Sequence, residues 1–170
     1  MNEKKISRIN IMALALGIAI MPPIWAVIAP HIGITTGSVA LICAGLFVAN
    51  GNNRANVKKI IIGFLMGDLW AVLAIWIMET MQFNPELELY GTLFCLGGVA
   101  VLIGENLYKW IFTPSLLCGW AISLTLMGAL SPMELKSLPI QIGVAMIVGV
   151  LYVGVGVDEF QKFLIRRLTK

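Results

Sequence analysis

Charge is what this chain has least of. Only 12% of its 170 residues are Asp, Glu, Lys or Arg, where an ordinary soluble domain carries roughly a quarter. Its apolar fraction is 59%, more than a soluble core of this size can bury. The balance excludes a disordered chain, a nucleic-acid-binding arm and a conventional cytosolic enzyme. Histidine occurs once, at His31, so a His-rich metal cluster and any His-based catalytic triad are excluded. The three cysteines, Cys43, Cys95 and Cys118, all lie in apolar runs and form no CxxC pair. An odd count inside lipid-compatible runs argues against a disulfide framework and fits cysteine acting as a small hydrophobe. No phosphate-binding loop, dinucleotide fingerprint or haem motif occurs. Neither an enzyme nor a cofactor is expected.

What is present are long apolar runs. A helix needs about 20 mostly apolar residues to cross a bilayer. Six runs approach this length, at residues 11–30, 34–49, 57–80, 89–103, 107–130 and 138–157. Turn residues part them, at His31-Ile-Gly, Asn50-Gly-Asn-Asn, Asn84-Pro85, Gly104-Glu-Asn and Ser131-Pro132. The runs are continuous rather than alternating, which excludes a barrel. The expectation is an all-α membrane protein of six transmembrane helices forming one domain over residues 1–170, with a tail at 158–170. Lys4, Lys5 and Arg8 precede the first run, which exceeds the ~7–15 apolar residues of a cleaved signal, so an uncleaved first span is expected.

Six spans put both termini on one side, and the basic residues then sort cleanly. Lys4, Lys5, Arg8, Arg54, Lys58, Lys59, Lys109, Lys162, Arg166, Arg167 and Lys170 fall on that side, leaving Lys136 alone on the other. The positive-inside rule places the eleven in the cytoplasm. The expected partner is therefore a lipid bilayer, in a bacterial inner membrane, and not nucleic acid.

A short string recurs in the odd-numbered spans: Ile24-Trp25-Ala26-Val27, Leu69-Trp70-Ala71-Val72 and Gly119-Trp120-Ala121-Ile122. Each lies near mid-span rather than at the interface where aromatic belts sit. Each follows a helix-weakening residue, namely Pro22-Pro23, Gly67 or Gly119 itself. In the returning spans Gly45, Gly97 and Gly149 share an offset of 52. Two readings stand: three tandem helical hairpins about a central axis, or three unrelated tryptophans in an apolar chain. In the first, Trp25, Trp70 and Trp120 share one depth and either line a constriction or pack between hairpins, at the kind of repeat interface where solute sites form.

Asp68 is the sharpest polar feature. It lies roughly eleven residues from each end of the third run. A central Asp costs about 2.5–3.5 kcal/mol on insertion scales, so it must face a partner, water or a polar interior. No Lys or Arg lies at matching depth. The functional readings are a hydrogen-bonding group for a solute or a proton-coupling carboxyl; the structural one is a bond to opened backbone, for example beside Pro22-Pro23. That proline pair removes two helix donors at mid-span, which either breaks the first helix toward a wet cavity or merely kinks it. Gly63 and Gly67 form a small-residue face suited to close packing, as do Gly143, Gly149, Gly154 and Gly156. Thr92, Ser115, Ser123, Thr125 and Gln141 are placed to hydrogen-bond within the bundle. Glu79, Glu86 and Glu88 make one outer element acidic, to draw cations or to keep basic residues off that side.

The pattern Gly17…Ile24-Trp25-Ala26-Val27 followed by Gly67-Asp68-Leu69-Trp70-Ala71 resembles the YcdZ-like family of small bacterial inner-membrane proteins, over about residues 14–156. The resemblance implies no substrate or catalytic residue. A looser likeness, of architecture alone, is to the acid-gated urea and short-amide channels, with the opposite terminal orientation and no shared motif. The expected function is thus a channel or facilitator for a small neutral or weakly polar solute, shaped by Trp25, Trp70, Trp120, Pro22, Pro23, Gly67 and Gly119 with Asp68 as the polar contact. A proton-coupled permease and a non-transporting scaffold or accessory subunit are the alternatives. Glycine-rich faces leave room for a homo-oligomer.

Overall fold

A computed structural model describes residues 3–81 and 84–168, with side chains for 8–81 and 84–167. Lys170 lies outside the described residues, as do the side chains of Lys4 and Lys5. The described chain is helical, with no strand. The helices are α1 (Glu3–His31), α2 (Val39–Ala49), α3 (Val57–Thr80), α4 (Pro85–Asn106), α5 (Thr113–Met127), α6 (Leu138–Val148) and α7 (Gly156–Leu168). A π-helical stretch, Gly149–Val155, joins α6 to α7 without interruption.

Four helical stretches are long and apolar enough to cross a membrane: Arg8–His31, Arg54–Thr80, Pro85–Asn106 and Leu138–Arg167. The other two, α2 with 11 residues and α5 with 15, rise only about 16 and 22 Å at ~1.5 Å per residue. Both fall short of the ~30 Å hydrocarbon core.

Several expected boundaries move, for local reasons. The fourth helix begins at Pro85 because the Asn84 side chain accepts from the Glu86 N–H, and Glu86 and Glu88 occupy the positive end of its dipole. It continues to Asn106, through the expected turn at Gly104-Glu-Asn. Residues 107–112, expected to open the fifth span, form turns instead; the helix starts at Thr113, where Pro114 tolerates the missing donor. The supposed tail at 158–170 is helical through Leu168. The first helix runs unbroken through Pro22 and Pro23, so the broken-helix reading is set aside.

Side-chain bonds tie each end of the bundle. At one end Gln161 Nε2 donates to the Asn10 carbonyl at 3.1 Å. Arg54 there bridges Asp158 at 2.7 Å and also contacts Glu159, while Lys162 holds Asp158 at 2.6 Å. The Phe112 N–H donates to the Lys59 carbonyl at the same end. At the other end Thr35 donates through its N–H and its hydroxyl to Gln141 Oε1, each at 3.1 Å. Beyond it, in the turn after α5, Ser131 donates through its backbone N–H and its hydroxyl to Glu134, holding that carboxyl below the usual carboxylate range.

The tightest pairings are α3 with α5, α1 with α7, and α2 with the π-helical stretch. Sequence-adjacent helices pair less closely, so tandem hairpins are not the unit of packing. Nor do the glycines at offset 52 share a role. Gly45 faces open space, Gly97 lies by the Trp120 ring, and Gly149 sits hard against the Ala40 backbone. The core is filled by Phe47, Ile60, Phe64, Leu116, Met127, Ile142, Met146 and Val150.

Candidate functional site: Asp68 at the α3–α5 crossing

The site is made by glycine. A Cβ on Gly63 would strike the Ser115 hydroxyl and lie 2.9 Å from the Phe112 carbonyl oxygen. One on Gly67 would overlap the Leu116 carbonyl and lie 2.5 Å from the Trp120 nitrogen. On the facing helix, a Cβ at Gly119 would lie 2.5 Å from the Phe64 carbonyl oxygen. With these side chains absent the two backbones touch, as small-residue interfaces in membranes allow. Gly67 and Gly119 were expected to weaken their helices near a path; their role here is close approach.

That approach brings two short polar side chains together. Asp68 follows Gly67, and Ser123 lies one turn beyond Gly119 on the same face of α5. The Ser123 hydroxyl donates to Asp68 Oδ1 at 2.5 Å, and both residues are buried. The second oxygen, Oδ2, points toward α6, where it would lie 3.8 Å from a Cβ on Gly143. No described residue hydrogen-bonds Oδ2. It reaches a groove of about 380 Å³ between α3 and α6, walled by apolar side chains of both helices.

The other expected site residues are dispersed. Trp25 Nε1 donates to the Gly37 carbonyl and Trp70 Nε1 to the Leu96 carbonyl, each at 3.0 Å. These two indoles pin an odd-numbered helix to the chain that follows it. Trp120 is buried with its ring by Gly97, and its Nε1 has no hydrogen-bond partner among the described residues. Pro22 and Pro23 line a separate groove of about 450 Å³ with Trp25, Ser38 and Val153. Asp68 is therefore joined by Gly67, Gly119 and Ser123, while Trp25, Pro22 and Pro23 lie elsewhere.

The other polar groups are local. Ser115 donates to the Phe112 carbonyl and Thr125 to the Ala121 carbonyl. Gln141 reaches across to Thr35, and the Thr92 hydroxyl is buried without a partner among the described residues. Ser123 was legible only as one mild polar residue among several. The signal that singles it out is its four-residue spacing from Gly119, once Gly67 and Gly119 are recognised as the crossing point. Among the described residues no group of three His, Cys, Asp or Glu side chains is placed to hold a metal ion.

Neither the curated proteins nor the solved structures give a match. A family model does, over residues 15–162. It supports an uncharacterised family, while the narrower YcdZ-like identification rests on the sequence resemblance alone. By that match, the chain belongs to the family described as protein of unknown function, DUF1097.

Proposed function

We propose that this protein is a six-pass inner-membrane facilitator for a small neutral or weakly polar solute, with both termini cytoplasmic and no enzymatic activity. Four helices are long enough to span; α2 and α5 complete their crossings with their flanking turns and a locally thinned bilayer, the usual response to short spans. The observation that carries the reading is the Asp68–Ser123 pair: a buried mid-helix carboxyl with one oxygen satisfied and the other turned to a groove. A structural carboxyl gains by closing both oxygens, whereas one left open is available to a solute donor. Interhelical packing fills the centre of the bundle, so passage proceeds through a rearrangement at α3, α5 and α6 rather than through a standing pore.

Asp68→Ala is expected to change solute flux in proteoliposomes while leaving the protein folded. Unchanged flux from folded Asp68→Ala would remove Asp68 from the path. The proton-coupled permease is the second reading, favoured by the lack of a basic partner within hydrogen-bonding reach of Asp68. It predicts gradient-dependent flux that Asp68→Asn uncouples. A scaffold or accessory subunit, or a homo-oligomer without a path, predicts stable co-purification and no flux.

A further inference from the structure

We propose that the groove between α3 and α6 is a binding site for small lipophilic amines, which enter it sideways from the bilayer and pair with Asp68 through Oδ2. The proposal rests on the reading of Asp68 as a polar contact for solute, and it specifies the class of solute and its route.

The mouth of the groove is on the outer surface of the bundle. Leu69 and Ile140, on its two walls, are 62% and 70% exposed. In a membrane such surfaces meet acyl chains, so a guest must be soluble in hydrocarbon. Leu65 and Val144 add to the apolar lining. The floor differs: Asp68 is 5% exposed, and its Oδ2 faces the space left by the absent side chain of Gly143. The site therefore selects an apolar body carrying a single strong donor.

An amine fits this better than an alcohol or an amide. Ser123 already donates to Oδ1, so the carboxyl lacks a cation rather than another weak donor. Hydrogen bonds between an ammonium and a carboxylate are roughly twice as strong as neutral ones, and the hydrocarbon that the groove faces supplies no water to compete. An amine arriving as the free base adds no charge to the hydrocarbon. If the carboxyl holds a proton, its O–H bond breaks, an N–H bond forms, and an ammonium–carboxylate pair remains with no net charge gained. Lys59 is nine residues from Asp68 along α3, about 14 Å at the helical rise, too far to supply the cation.

The test is equilibrium binding of radiolabelled adamantylamine to the full-length protein in lipid nanodiscs. Empty nanodiscs correct for partitioning, and adamantanol serves as the isosteric competitor without a cation. The expected result is saturable amine binding that adamantanol displaces poorly. Asp68→Asn should weaken it by about tenfold or more, the range for a hydrogen bond to a charged group. Gly143→Val leaves the carboxyl in place and fills the space before Oδ2, with the Leu65 side chain, 3.2 Å from the new Cβ, giving way; it should abolish binding in a protein that retains its helicity. Equal uptake by empty and loaded nanodiscs overturns the proposal, as does binding that Gly143→Val leaves unchanged. Should Asp68→Asn fail to fold, Gly143→Val alone decides. Asp68-dependent solute flux without amine binding defeats this proposal only; amine binding without any flux defeats the transport reading only.

Discussion

Replacing Gly67 by Ala tests the geometry on which the site depends, and its sign is set by two opposing terms. In a helix interior Ala is more favourable than Gly by about 0.8–1.0 kcal/mol. At Gly67 the new methyl would lie 2.5 Å from the Trp120 nitrogen and overlap the Leu116 carbonyl. Both obstacles are backbone, so no side chain can swing away, and α3 and α5 must separate by close to 1 Å. Overpacking of this kind costs typically ~1–3 kcal/mol, and separation also stretches the Ser123–Asp68 bond. The net expectation is a loss of up to about 2 kcal/mol. Gly98 on α4 is the control, since nothing lies within 4 Å of its position; Gly98→Ala should be neutral or stabilising by up to about 1 kcal/mol. Both are read by reversible unfolding in mixed micelles, followed by tryptophan fluorescence. Gly67→Ala at least as stable as Gly98→Ala would refute the close crossing of α3 and α5.

Trp70→Phe removes the indole donor to Leu96 and should cost about 0.5–1.5 kcal/mol in the same assay, whereas Trp76→Phe, at a residue 56% exposed, should cost much less. Asp158→Asn should lower the melting temperature several times more than Glu159→Gln, because Asp158 is 5% exposed between Arg54 and Lys162 while Glu159 is 54% exposed. In a variant lacking Cys43, Cys95 and Cys118, a single cysteine at position 136 should react with an impermeant maleimide on intact cells, and one at position 52 should not. The opposite pattern would invert the proposed orientation.

Much of the helical framework was legible because membrane spans announce themselves through apolar run length and turn residues. The third run, residues 57–80, and the helix Val57–Thr80 coincide. Ends set by capping were less legible: Asn84 reaching Glu86 extends α4 backward, and Phe112 docking on Lys59 delays α5. The last helix outruns its apolar stretch because the salt bridges of Asp158 and the Gln161–Asn10 bond hold its polar continuation against the bundle. The recurring Trp-Ala string marked two real clamps, at Trp25 and Trp70, while the third indole, Trp120, packs by Gly97. Asp68 stood out by its cost. Its partner Ser123 did not, because pairing two helices by their glycines requires a crossing point that periodicity does not supply.

The proposed function has the protein pass a solute by way of Asp68. The most direct measurement is solute-induced swelling of proteoliposomes against protein-free liposomes, with urea, short amides, glycerol, small acids and small amines, for the wild-type protein and Asp68→Ala in parallel. Selective flux above the control, altered by Asp68→Ala, is expected. Folded protein that passes none of these solutes, or passes them equally well without the carboxyl, would contradict it.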